Sequence, residues 1–306
     1  MGTRHRIFAA ARSGSGQAAA DAGTIDGLSL LAITYLALPN LIFLFGWLRL
    51  PLALACAATM LAMLSSLRPA AAFDASSDHS WPVFALILLG AAAWAAFGGG
   101  SHFVYANPDW VVRDAVLGDL INQEWPVHYL SPAGSSLLLR SAIGFFLPPA
   151  LFGKVFGSSH VDLAVFAWSA AGVLLFMLLL PLARRSGPAL LLGIALTVFF
   201  SGMDFLGELI STQSLPMFPL RLEWWGPLSY PSLSVQLLWA PNHCLPIWIG
   251  TLLLLRYWQT RQFLPVMVAV LPLSLIWTPF AALGLLPFAL LGIWRHLRHL
   301  HAKDIP

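Results

Sequence analysis

Long apolar runs recur along this chain, and they constrain its fold more than any other feature. Hydrophobic residues make up 58% of the 306 residues, and charged residues only 9%. A run of about 20 apolar residues is what a helix needs to cross the hydrocarbon of a bilayer. A soluble domain of this size has no core that could bury so many runs. We therefore predict an all-α, polytopic membrane protein.

The apolar runs predict about eight transmembrane helices. Their approximate bounds are 28–48, 50–67, 82–98, 162–181, 187–203, 242–255, 263–277 and 279–294. Because Lys and Arg accumulate on the cytoplasmic side, basic residues orient these helices. The segments predicted to be cytoplasmic are the polar leader 1–27, Arg68, Arg184, Arg185, Arg256, Arg261 and the basic tail 295–306. Residues 28–294 then form one multi-pass domain of a cell membrane.

Two large loops, 98–157 and 201–241, then share the extracytoplasmic face. Within the first, the segment 135–157 is apolar but contains two cations and a Pro-Pro pair, which an interfacial helix tolerates better than a span does. Counting it as a span would also place Arg184 and Arg185 outside. We predict that it lies along the membrane surface, with the Pro-Pro pair as a break in its helix.

Charged residues concentrate in the first loop, at Asp109, Arg113, Asp114, Asp119 and Glu124. Charge gathered outside the apolar spans is typical of the working surface of a membrane protein. Two interpretations of Asp109 are open. It follows an Asn-Pro pair typical of a helix start and lies one turn before Arg113, so it suits a cap or an ion pair. It also suits a catalytic carboxylate.

Composition and cysteine placement exclude several classes of function. Cys56 lies inside an apolar run and Cys244 at the edge of another, so a disulfide framework or a zinc site is not expected. The net charge of +3 comes largely from clusters beside the spans, which gives no reason to expect a nucleic-acid partner. Membrane lipids are the expected surroundings.

The order of these elements resembles that of the C-type integral-membrane glycosyltransferases, the GT-C superfamily, which includes protein O-mannosyltransferases and lipid A aminoarabinose transferases. The resemblance covers about 81–294. It consists of a span, the acidic helix NPDWVVRDAVLGDLI, the interfacial helix LPPALFGKVFG and a span that ends in Arg-Arg. It implies transfer of a sugar from a polyprenyl-phosphate donor on the extracytoplasmic side, in a bacterial inner membrane. The acidic pair common in the family is replaced by Asp109-Trp110.

The resemblance also implies roles for particular residues. Such transfer needs a general base and stabilisation of the departing phosphate by positive charge or a divalent cation such as Mg²⁺ or Mn²⁺. Asp109 is the first candidate for the base or the metal ligand, with Asp114 and Asp119 behind it. The candidates for binding the phosphate are Arg113, Arg140 and Lys154, and the fork of arginine suits phosphate better than lysine does.

The second loop and the span after it supply further candidates for substrate binding. Trp224 and Trp225 suit either stacking on a sugar or anchoring at the interface. Glu223 suits a sugar contact or a pair with Arg221, and His243 a phosphate contact or a bond to a backbone carbonyl. Asp204 and Glu208 are weaker candidates to line the same pocket.

Two other classes of function compete with the glycosyltransferase. One is a transporter or flippase for a lipid or small solute, although such proteins usually place ionisable residues inside their spans. The other is a non-catalytic GT-C-like subunit of a glycan assembly complex.

Overall fold

The structure is a computed structural model that describes residues 24–67, 81–104, 106–180, 187–200, 209–214 and 231–301. Within these ranges the protein is mostly helical. The helices are α1 Gly27–Trp47, α2 Leu50–Ser65, α3 Trp81–Ala96, α4 Trp110–Asn122, α5 Leu147–Phe156, α6 Val161–Leu179, α7 Pro188–Phe199, α8 Leu233–Trp239, α9 Pro241–Tyr257, α10 Phe263–Leu275 and α11 Pro279–His301. The prediction of an all-α protein is confirmed, with the addition of one small hairpin, β1 His128–Leu130 and β2 Ser136–Leu138, whose strands are antiparallel.

Each of the eight predicted apolar segments contains a helix. Two helical segments, Gly27–Trp47 and Ser158–Leu179, are long and apolar enough to cross a membrane by length and composition, and the second includes the 3₁₀ turn before α6. The other apolar helices in the described ranges are shorter: Leu50–Ser65, Trp81–Ala96, Pro188–Phe199, Phe263–Leu275 and Pro279–Arg295. The number of membrane crossings therefore stays a prediction.

Helix starts follow the local sequence. Asp26 precedes α1, and its carboxylate accepts a hydrogen bond from the Ser29 backbone N–H at 3.0 Å. Four helices, α2, α5, α7 and α9, have proline in their first turn, where a missing N–H costs nothing.

Contacts between helix termini define one end of the helix bundle, which we call the loop end because residues 98–157 lie there. The ring of Trp47, the last residue of α1, lies 5.1 Å from the ring of Trp125. The Gly144 N–H donates to the carbonyl of Ile276, which follows α10, at 2.9 Å. The C-terminal ends of α1 and α10 therefore meet the first loop.

The opposite end of the bundle, which we call the Arg256 end, brings together the start of α1 and the end of α9. Arg256 Nε donates to Asp26 Oδ2 at 2.9 Å, and the Tyr257 hydroxyl donates to the same oxygen at 2.7 Å. Because α1 starts where α9 ends, these two helices run antiparallel. The predicted cytoplasmic residue Arg256 and the acidic first loop thus lie at opposite ends.

The segment 135–157 differs from the predicted interfacial helix with a central break. Ser136–Leu138 forms a strand, and the helix spans only Leu147–Phe156. Pro148-Pro149 therefore starts α5 instead of breaking it, because proline lacks an N–H and is tolerated in the first helical turn.

Large apolar side chains cover much of the outer surface of the bundle. In α2, α7 and α11 many of them are more than half exposed: Leu52, Leu54, Leu61, Leu191, Leu192, Leu196, Leu283, Leu290 and Leu291. Inside the bundle, Tyr35, Trp168 and Trp277 pack together, with 4.1 Å between the ring centroids of the first two.

Candidate functional site

A groove of about 380 Å³ opens at the loop end between α4 on one side and α8 and α9 on the other. Three residues predicted from the sequence, Asp109, Arg113 and His243, line it together. The other lining residues are Pro231, Val235, Gln236, Trp239, Ala240, Cys244 and Ile247. The groove therefore combines an apolar wall with a charged edge, which suits an amphipathic ligand.

The start of α4 is fixed against α8. The Asn107 amide and the Trp110 indole N–H both donate to the carbonyl of Leu238, at 2.9 and 3.1 Å. Trp110 is fully buried, and a Cβ at Gly100 would lie 2.6 Å from its ring. This anchoring sets the position of the next turn of α4, which contributes Arg113 to the groove.

Asp109 and Arg113 form the charged edge of the groove. Arg113 Nη2 donates to Asp109 Oδ2 at 3.4 Å, so the ion-pair interpretation is confirmed in geometry. The cap interpretation is not, because Asp109 makes no side-chain cap bond, and it is Asn107 whose side chain accepts from the Asp109 N–H. The Asp109 side chain is 52% exposed, so its carboxylate can meet a ligand from the groove.

The guanidinium of Arg113 contacts Trp110, and one of its nitrogens has no hydrogen-bond partner among the described residues. It lies over the Trp110 ring, 5.4 Å from the centroid. Nη1 is buried without a hydrogen-bond partner in the described part of the chain. Burial lowers the pKa of Arg113, and the charges of Asp109 and Asp114 oppose that shift. A half-buried cation with an unused N–H is a ready donor for an anion.

His243, in the first turn of α9, supplies a second unused nitrogen. Its Nδ1 is buried without a hydrogen-bond partner among the described residues. Nε2 lies 3.4 Å from the Asn242 amide nitrogen, and the ring packs edge-on against Phe280 with 5.7 Å between centroids. The bond to a backbone carbonyl considered for His243 is not formed by the described residues.

The other two acidic candidates on α4 point elsewhere. Asp114 Oδ2 lies 3.0 Å from His102 Nε2. Asp119 accepts hydrogen bonds from the Gln123 amide at 2.8 Å and from the Tyr129 hydroxyl at 2.5 Å, and this bond raises the pKa of Tyr129 to about 12. Neither carboxylate lines the groove. Asp109 is thus the best placed of the three.

The remaining cations of the first loop also lie away from the groove lining. Lys154 Nζ donates to the carbonyls of Ile121 and Gln123 at 3.2 and 2.6 Å, where the C-terminal end of the α4 dipole favours a cation. Arg140 is exposed after β2. Their predicted contacts with phosphate stay predictions.

Two polar residues of this region were not predicted from the sequence. His102 contacts Asp114 with one ring nitrogen, and its Nδ1 lies 3.3 Å from Asp162 Oδ1 in the first turn of α6. Burial raises the pKa of Asp114, and His102 opposes that shift. No spacing motif connects these residues, since they lie on three separate elements.

Several predicted residues lie outside the described residues: the leader up to residue 23, Arg68, Arg184, Arg185, Asp204, Glu208, Arg221, Glu223, Trp224 and Trp225. Among the residues that are described, no three His, Cys, Asp or Glu side chains group as metal ligands. Asp109 is the one carboxylate among the described residues of the groove, and its neighbour is a guanidinium. The described part of the groove therefore fits a divalent cation poorly.

Comparison with protein-family models, with curated proteins and with solved structures finds no match.

Proposed function

We propose that this chain is a polytopic membrane glycosyltransferase that transfers a sugar from a polyprenyl-phosphate donor to an acceptor on the extracytoplasmic side. The observation that carries the proposal is the groove at the loop end. Arg113, His243 and Asp109 line it together. Arg113 Nη1 and His243 Nδ1 are buried and have no hydrogen-bond partner among the described residues, and His243 Nδ1 is a donor when Nε2 accepts from the Asn242 amide. Two such donors suit an anionic group, and the apolar wall suits the start of a lipid chain.

The distribution of charge and apolar surface supports the membrane setting. Exposed leucines on α2, α7 and α11 would face lipid, where their apolar surface avoids the free-energy cost of contact with water. Arg256 in the last turn of α9 and Arg261 after that helix lie at one end, and the acidic first loop lies at the other. With the positive end in the cytoplasm, the groove opens near the extracytoplasmic headgroups, where the phosphate of a lipid-linked donor resides.

The proposed reaction uses Asp109 as the general base. The acceptor hydroxyl oxygen attacks the anomeric carbon of the sugar, and its proton passes to the Asp109 carboxylate. The bond between the anomeric carbon and the phosphate oxygen breaks, and polyprenyl phosphate leaves with the electron pair. Arg113 and His243 stabilise the negative charge that develops on the phosphate, because hydrogen-bond donors in a buried site act strongly on such charge.

Binding of polyprenyl phosphate to the purified protein tests this assignment. Arg113→Gln removes the charge and the fork, and we expect the affinity to fall by roughly tenfold or more, as for loss of a charge-assisted hydrogen bond. Arg261→Gln is the matched control, because Arg261 is exposed beyond the opposite end of the bundle. Equal affinities of the parent and Arg113→Gln would overturn the proposal. Binding without transfer from any donor would favour the non-catalytic subunit.

A further inference from the structure

His102 lies between two carboxylates that belong to different helices. Its Nε2 is 3.0 Å from Asp114 Oδ2 on α4, and its Nδ1 is 3.3 Å from Asp162 Oδ1 on α6. An ionised carboxylate can only accept a hydrogen bond, so both contacts are hydrogen bonds at once when the imidazole has a proton on each nitrogen. We call these three residues the histidine bridge.

The geometry of the histidine bridge differs from that of a metal site. The two carboxylates approach different nitrogens of one ring, so they lie along different edges of the imidazole. One ion could not contact a ring nitrogen and both carboxylates in this arrangement. The bridge is better described as a charge cluster with one net negative charge when His102 is protonated and two when it is neutral.

The histidine bridge adjoins the charged edge of the groove. The His102 ring packs edge-on against Trp110, 6.0 Å between centroids, and the Arg113 guanidinium lies over the same indole. Arg113 and Asp114 are successive residues of α4 that interact electrostatically. Among the described residues, the charged groups that contact His102 are Asp114 from α4 and Asp162 from α6, and Arg113 acts on this cluster through Asp114.

We propose that protonation of His102 regulates the groove by favouring the binding of an anion at Arg113. The histidine bridge places negative charge beside that guanidinium, and a protonated His102 cancels part of it, so an incoming anion is repelled less. Because linkage is reciprocal, anion binding in turn promotes proton uptake by His102. This inference rests on the proposed function, since it takes the groove to be a phosphate site.

Calorimetric binding of decyl methyl phosphate to the full chain in detergent tests the inference. This phosphodiester keeps a single charge between about pH 5 and pH 8, the range in which imidazole titrates. We expect the parent to bind about fivefold more tightly at the acidic end, the lower range of coupling between linked sites, with proton uptake on binding. His102→Asn should bind weakly throughout and without that uptake. Asparagine suits this position because His102 has φ 58°.

Two further variants separate the electrostatic role of His102 from a structural role and from a general effect of replacing a histidine, whereas pH dependence that came from His243 would survive in His102→Asn. Asp162→Asn removes a negative charge, so it should tighten binding at the alkaline end, whereas a merely structural bridge would be weakened by this change too. His128→Asn changes an exposed histidine that contacts Ser136 on the hairpin, and it should keep the pH dependence of the parent.

Each outcome decides between the two proposals. Binding by the parent that does not depend on pH, pH dependence that survives in His102→Asn, or weaker binding in both bridge variants would overturn the role of His102 and leave the phosphate site standing. A parent that binds no phosphodiester at any pH would contradict the proposed function, and the inference would fall with it.

Discussion

Arg256 Nε lies 2.9 Å from Asp26 Oδ2, and both side chains are almost completely buried. The pair closes the Arg256 end of the bundle by joining the start of α1 to the last turn of α9. The Tyr257 hydroxyl and the Ser29 backbone N–H also donate to the Asp26 carboxylate. Both oxygens of this buried carboxylate therefore accept hydrogen bonds, as a buried charge requires.

Replacing Asp26 by alanine should destabilise the protein strongly. The change leaves the Arg256 charge buried without its counter-ion, and breaking such a pair typically lowers the free energy of unfolding by about 3–5 kcal/mol. Thermal unfolding in detergent measures the loss. Glu124→Gln is the control, because Glu124 is exposed in the first loop and should change the free energy by less than about 0.5 kcal/mol. Equal unfolding temperatures for the two variants would contradict this account of the pair.

The same pair predicts how stability depends on pH. Although burial raises the pKa of Asp26, the Arg256 guanidinium and the hydrogen bonds from Tyr257 and Ser29 hold it below its ordinary value. A depressed folded pKa stabilises the fold above the unfolded value of about 3.9, and that stability is lost as the pH falls through the folded pKa. Unfolding measured from about pH 6 downward should show this loss in the parent. Asp26→Asn should lack it, and an unchanged acid profile in the variant would be evidence against the assignment.

Gly144 joins the first loop to the C-terminal end of α10, and alanine should not fit there. A Cβ at this position would lie 2.6 Å from the Ile276 carbonyl oxygen, which is backbone and cannot move aside cheaply. We expect Gly144→Ala to lower the unfolding temperature in detergent. Gly118→Ala is the matched control, because a Cβ at Gly118 would meet no described atom within 4 Å apart from the neighbouring backbone of its own helix, and alanine favours a helix by about 1 kcal/mol over glycine. An unchanged unfolding temperature in Gly144→Ala would mean that this contact is not formed.

The proposed orientation in the membrane predicts which residues a reagent reaches from outside. Ser158 is exposed at the loop end and Arg261 is exposed after α9. With Cys56 and Cys244 replaced by serine, a cysteine at position 158 should react with an impermeant thiol reagent added to intact cells. A cysteine at 261 should react after permeabilisation alone. The reverse labelling pattern would mean that the protein has the opposite orientation in the membrane and that the groove opens on the cytoplasmic side.

The helices were predictable from the sequence because apolar runs and proline starts are local signals. The groove was predictable in part, since Asp109 and Arg113 share one helix and His243 follows a proline start. The short helix α8 gave no periodic signal over its seven residues. The strands β1 and β2 are three residues each, and their exposed leucines resemble those of an apolar helix.

Contacts between elements that are distant in the chain could not be predicted from the sequence. The histidine bridge depends on a loop, α4 and α6 meeting, and the Asp26 pair joins residues 230 positions apart. Such partners are set by packing of the whole bundle, and in a single sequence no spacing relates them.

The most direct test of Asp109 as the general base compares sugar transfer by the parent and by Asp109→Asn. Asparagine keeps the shape of the side chain but accepts no proton, so we expect the rate of transfer from a polyprenyl-phosphate donor to fall by roughly 10²-fold or more. The unfolding temperature should stay nearly unchanged, because Asp109 is half exposed and makes a single weak ion pair. Asp119→Asn, away from the groove, should retain transfer. Full activity in Asp109→Asn would contradict the assignment of Asp109 as the general base.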